Sequence, residues 1–131
     1  MKIFISGSIG IKSLKESDIL HLKELIEGDH IILIGDAYGV DKAVQQYLSD
    51  QNYQNVIVYV PGEKARNNIG NWQIRQIPNP DNLTGRHFYR LKDKAMADDC
   101  DIALVFWDGK SKGTKNNMDY VIKLNKDYLV L

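Results

Sequence analysis

Between Asp108 and Thr114 the chain sets a carboxylate, two hydroxyls and two glycines close together in the run Asp-Gly-Lys-Ser-Lys-Gly-Thr. The apolar run Asp101–Phe106 leads into this loop, and a helical pattern leaves it at Lys115. A strand that feeds a helix through glycines leaves backbone N–H groups unpaired at the helix N-terminus, where the dipole favours an anion. Gly109, Ser111, Gly113 and Thr114 are therefore candidates to hold phosphate. Asp108 is placed to meet sugar hydroxyls, and Asn117 adds an amide that donates and accepts. Thr114 also has the side chain to cap the helix.

Two further loops have the same character. Gly7 and Ser8 follow the first apolar run as a small-residue turn, either a point of ligand approach or an ordinary strand-to-helix turn. In Gly35-Asp-Ala-Tyr-Gly39-Val-Asp41, the glycines at either end allow a sharp turn into a helix. Asp41 suits the helix dipole there. Asp36 has no capping geometry forced on it and could accept hydrogen bonds from ribose hydroxyls or a base. Tyr38 either stacks on a ring or packs on the next helix. Among the cations Arg86, His87, Arg90, Lys92 and Lys94, the pair Arg90 and Lys92 is chosen to face the ligand, and the others read as solvated charges.

Familiar alternatives fail on spacing. Ile11 precedes Lys12 where a Walker loop needs glycine, so nucleotide-triphosphate hydrolysis is rejected. The first turn lacks Gly-x-Gly-x-x-Gly, so no dinucleotide is expected and no cofactor is assigned. His21, His30, His87 and Cys100 have no zinc-type spacing, so no metal is assigned either.

The elements that must position these residues can be read from periodicity. Lys2–Ile5, His30–Ile34, Val56–Val60, Asp101–Phe106 and Tyr128–Leu131 are short apolar runs without alternation, as in strands buried on both faces. Helical patterns cover Ser17–Glu27, Val40–Asp50, Gly85–Asp99 and Lys115–Leu124. Strict alternation predicts an α/β fold, a three-layer α/β/α Rossmann-like sandwich on a five-stranded parallel sheet of order 3-2-1-4-5, with residues 1–131 as one domain. Ligands of such sheets sit beyond the carboxyl ends of the strands, where the winding reverses, here between the first and fourth strands. Residues 61–82, with all three prolines, exceed the roughly 12–15 residues of ordinary loops and read either as a lid or as an excursion pinned by Trp72.

Bulk composition narrows the partners. With 17 basic and 17 acidic residues there is no overall basic field, so nucleic acid is not expected as a partner. No apolar run approaches the roughly 18 residues of a membrane span, and the single cysteine makes no internal disulfide; a cytoplasmic location is expected.

Over nearly its whole length the chain resembles the SLOG superfamily of Rossmann-like proteins, which includes the Lonely-Guy phosphoribohydrolases, the DNA-processing proteins and a small uncharacterised single-domain branch. The likeness rests on Gly7-Ser8, on Gly-x-Ala-x-Gly-x-Asp at Gly35–Asp41, on Met96-Ala97 and on Asp-Gly-x-Ser-x-Gly-Thr at Asp108–Thr114. The fourth strand and its Gly-Thr loop are also similar to nucleoside 2-deoxyribosyltransferases. Both resemblances imply a ligand with a base, a pentose and often phosphate, and relatives by resemblance are commonly oligomeric. Where these enzymes carry glutamate after Gly-Thr this chain has Asn116 and Asn117, and an amide is neither nucleophile nor general base. The arginine that these families place four residues before the methionine is Lys92 here.

The resulting expectation is a binder, perhaps a sensor, of a nucleotide or nucleoside-derived small molecule, forming a homo-oligomer and touching neither nucleic acid nor membrane. The alternative is an N-glycosidic-bond hydrolase or transferase with Asp36 or Asp108 as the catalytic carboxylate. Gly7, Ser8, Gly35, Asp36, Gly39, Arg90, Lys92, Asp108, Gly109, Ser111, Gly113, Thr114 and Asn117 are the expected ligand-binding residues.

Overall fold

The computed structural model describes residues 1–131. Six strands and four helices follow one another as β1 (Lys2–Gly7), α1 (Glu16–Glu27), β2 (Ile31–Gly35), α2 (Val40–Asp50), β3 (Val56–Pro61), β4 (Gln73–Ile77), α3 (Gly85–Asp99), β5 (Ile102–Phe106), α4 (Lys112–Lys123) and β6 (Asp127–Val130). All neighbouring strands run parallel, in the order β4-β3-β2-β1-β5-β6. This is the Rossmann-like α/β fold read from the sequence, with one strand more than expected.

Successive residues of a strand point to opposite faces, so each strand supplies two cores. Ile3, Ile5, Ile32, Ile34, Val56 and Val58 pack under Leu22 of α1 and Val44 and Leu48 of α2. Phe4, Leu33, Tyr59, Ala103 and Val105 pack under Met96 and Ala97 of α3 and Val121 of α4. Because α1 and α2 cover one face while α3 and α4 cover the other, the winding reverses between β1 and β5. A crevice opens there beyond the strand ends.

The extra strand lies inside the stretch read as a long loop. Gln73–Ile77 pairs with β3 as an edge strand, and the segment leading to it is pinned by Trp72, which is buried and donates from Nε1 to the Tyr53 carbonyl at 2.7 Å. Burial removes Trp72 from the candidates for a subunit interface. The expectation that every strand is covered on both faces also fails at the opposite edge. Tyr128, Leu129 and Val130 of β6 are all more than 40% exposed, because β6 pairs only with β5. No helix is long and apolar enough to cross a membrane.

Candidate functional site

The end of β1 is stapled to the elements on either side. Ser8 is fully buried; its amide donates to the Phe106 carbonyl at 3.0 Å, and its hydroxyl lies 3.3 Å from that of Thr114 and accepts from the Asp108 amide at 3.3 Å. Beside it, a Cβ on Gly7 would lie 2.4 Å from Val40, so only glycine lets α2 start this close to β1. Gly39 has φ +77°, and a Cβ there would fall 2.4 Å from the Ile9 carbonyl oxygen. These two glycines fix chain paths rather than touch a ligand.

Helix α4 starts at Lys112, earlier than the expected Lys115, and its cap is Ser111 rather than Thr114. The Ser111 hydroxyl accepts from the Thr114 amide at 3.4 Å, while Thr114 is buried against Ser8. Asp108 shapes the turn before it by accepting from the amides of Lys110 and Ser111, both at 2.8 Å, and these hydrogen bonds hold its carboxyl below the ordinary range. The amides of Lys112 and Gly113 donate to no protein group, and the space beside Gly113 is open. Replacing Ser111 by alanine is expected to cost about 1 kcal/mol of stability in urea unfolding, the usual value of a cap. An unchanged midpoint would show that Thr114 can take over.

A cavity of about 310 Å³ lies between these elements. Ser6 and Gly7 form its floor; Ser111, Gly113, Thr114 and Asn117 of α4 form one wall, and Arg86, Tyr89, Arg90, Lys92 and Asp93 of α3 form the other. Asn117 donates to the Ser6 hydroxyl at 3.0 Å, which turns its amide along the floor. Arg86 and Arg90 stand four residues apart on one helix face, and neither is ion-paired. Arg90 Nε is buried and has no hydrogen-bond partner. Burying such a donor unpaired is costly, so it marks a place where a ligand oxygen would fit.

Lys92 belongs to a buried ion cluster at the back of the cavity. Its Nζ lies 2.8 Å from Asp93 Oδ1 and 3.8 Å from Asp41 Oδ2. Burial opposes its charge, but Asp93 and Asp41 outweigh that and raise its pKa. Asp41 is pushed up to about 6, chiefly by burial, with Lys92 acting in the opposite direction. Asp41 therefore does more than meet the helix dipole: it also accepts from the Ala37 amide at 3.2 Å. Gly35 backs this pair, since a Cβ on it would lie 2.6 Å from both Asp41 Oδ2 and Lys92 Nζ.

Asp36 is occupied. Arg66 grips its two oxygens at 2.8 and 3.3 Å and adds its own amide at 2.9 Å, leaving the residue 1% exposed. On its other side, the Arg66 guanidinium carbon sits 4.4 Å from the centre of the Tyr89 ring. Neither carboxylate expected to be catalytic lines the cavity, because Asp36 holds the segment after β3 and Asp108 holds a turn. Of the other expected residues, Gly7, Arg90, Lys92, Ser111, Gly113, Thr114 and Asn117 line it, while Ser8, Gly35, Gly39 and Gly109 stand behind or outside. Arg66, Arg86, Tyr89 and Asp93 were not among the expected ligand-binding residues. The four-residue spacing of Arg86 and Arg90 was the available signal.

No known family and no curated protein matches the chain in sequence. Two solved structures share its fold. DNA processing protein A from Helicobacter pylori, described for its single-stranded DNA binding mode, superposes with a TM-score of 0.73 at 18% identity over 99% of this chain and 64% of that one. DNA processing protein A from Streptococcus pneumoniae gives 0.71 at 17% identity over 98% of this chain and 49% of that one. The chain thus spans less than two thirds of either neighbour. These neighbours correct two expectations, that the ligand is a small nucleotide or glycosidic substrate and that nucleic acid is excluded: the solved relatives of the fold are DNA-processing proteins, one of which binds single-stranded DNA. Equal totals of acid and base say nothing about placement, and here unpaired arginines gather at one cavity.

Proposed function

We propose that the cavity between α3 and α4 binds single-stranded nucleic acid, taking one backbone phosphate and an unstacked nucleotide, and that the chain does so in the cytoplasm as a SLOG domain of the DNA-processing kind. The observation that carries this reading is the buried, unpartnered Arg90 Nε in a cavity that also holds the free α4 amides and Arg86. An anion placed there pairs with donors that have no other partner. Single strands suit the site because a duplex keeps its bases stacked, whereas a cavity of about 310 Å³ admits one group of nucleotide size. The neighbour from Helicobacter pylori supports the same choice of polymer.

Fluorescence anisotropy with labelled oligothymidylate tests this. The wild type is expected to bind, and a blunt duplex of equal length to bind more weakly. Arg86→Ala/Arg90→Ala should weaken single-strand binding by about tenfold or more and reduce the slope of log K against log salt by about 1.4, about 0.7 per lost phosphate contact. No binding by the wild type, or a double variant that binds as well, overturns the proposal.

A further inference from the structure

A second groove, of about 550 Å³, lies beside the first cavity, between the chain following β1 and the outer side of α2. Tyr38, Lys12 and Lys42 line it. Tyr38 is 51% exposed, and Lys42 Nζ lies 5.8 Å from the centre of its ring. Neither lysine is ion-paired. The groove's one acid, Asp50, already accepts from Gln46 Nε2 at 2.9 Å. An exposed ring beside free cations is what proteins use to bind single strands without regard to sequence: a base stacks on the ring while the neighbouring phosphates meet the ammonium groups.

The groove is continuous with the first site. Ile9 lines the cavity and Gly39 lines the groove, and the two backbones touch so closely that a Cβ on Gly39 would fall 2.5 Å from the Ile9 Cα. Between the sites stands only this thin ridge, topped by the exposed side chain of Ile9. We infer that a single strand held in the first cavity crosses the ridge and continues into this groove, with a base on Tyr38 and phosphates at Lys12 and Lys42. The inference rests on the single-strand reading of the first cavity.

Oligothymidylates of two, four, eight and twelve nucleotides separate the two sites. For the wild type, affinity should rise with length until the strand reaches both. Tyr38→Ala should weaken the longer strands by about tenfold while leaving the dinucleotide unchanged, and Tyr38→Phe should keep the wild-type affinity. Lys12→Ala/Lys42→Ala should lower the salt slope for the longest strand by about 1.4. All three positions are exposed, and thermal melts confirm that the variants fold. Long strands that bind Tyr38→Ala and the lysine variant as well as wild type overturn the second groove and leave the first site standing. A dinucleotide weakened as much as the long strands also overturns it, because Tyr38 would then act on the first cavity. Failure of every strand to bind the wild type overturns both proposals.

Discussion

Lys92→Met is expected to destabilise the fold by about 3–5 kcal/mol at pH 8 and by clearly less at pH 5. The substitution keeps the length of the side chain but removes the one ammonium that faces Asp93 at 2.8 Å and Asp41 at 3.8 Å. Two carboxylates then share the back of the cavity with no cation between them, and breaking one side of a buried ion cluster costs far more than a surface pair. The pH dependence follows from Asp41. Burial raises its pKa from 3.8 to about 6, so the folded protein holds a proton there that the unfolded chain has lost. A carboxyl raised in this way contributes most favourably below its unfolded value, and that contribution is lost as pH rises through the folded value. Removing Lys92 removes the attraction that opposes the rise, so the loss extends to higher pH and the stability curve falls more steeply between pH 5 and 8. Urea unfolding at both pH values checks this. An equal cost at the two would reduce Lys92 to a packing residue, and a small loss in Lys92→Arg alongside a large one in Lys92→Met would isolate the charge.

The parts of this arrangement that were legible in the sequence are those set by local pattern. Parallel order follows from alternating strands and helices, because a right-handed crossover leaves few choices, and the crevice between β1 and β5 follows from the order. Strand β4 was hidden because Gln73-Ile-Arg-Gln-Ile77 has only two apolar residues and lies among prolines and asparagines; as an edge strand it buries Ile77 and leaves Ile74 exposed. The start of α4 was misplaced because Ser111 and Thr114 both carry hydroxyls that can cap. What decides between them is tertiary, the contact of Thr114 with Ser8 across more than a hundred residues of chain. Charge failed as a guide to partners for a similar reason. A zero sum describes the whole surface, whereas Arg86 and Arg90 are left unpaired while Arg66 and Lys92 find acids far away in sequence. Asp36 was the hardest case, since nothing near it announces the arginine that arrives from the segment after β3.

That arginine makes the second large effect. Arg66→Met is expected to cost about 2–4 kcal/mol, less than a fully buried pair because the guanidinium is 28% exposed while the Asp36 carboxylate is 1% exposed. Burial works against the Arg66 charge, yet Asp36 beside it holds its pKa above the usual value, which makes the pair attractive overall. After the substitution Asp36 keeps the Arg66 backbone amide as a donor but has no counter-charge, and Arg66 no longer covers the Tyr89 ring. Asp36→Asn should be milder, because an amide can still accept from that backbone N–H. Combining Arg66→Met with Asp36→Asn should recover part of the loss, since the buried charge leaves along with its partner. A double-mutant cycle by urea unfolding measures the coupling, with about 1–3 kcal/mol expected for groups in direct contact. Hydrogen exchange adds a readout that packing alone would not move: the amides of Asn67 to Trp72 should exchange faster in Arg66→Met, because Asn67 reaches the Asp36 and Ala37 carbonyls only while Arg66 anchors its segment. Strictly additive losses with unchanged exchange would mean that Asn67 and Gln45, whose side chain also bonds this segment, hold it without help from the ion pair.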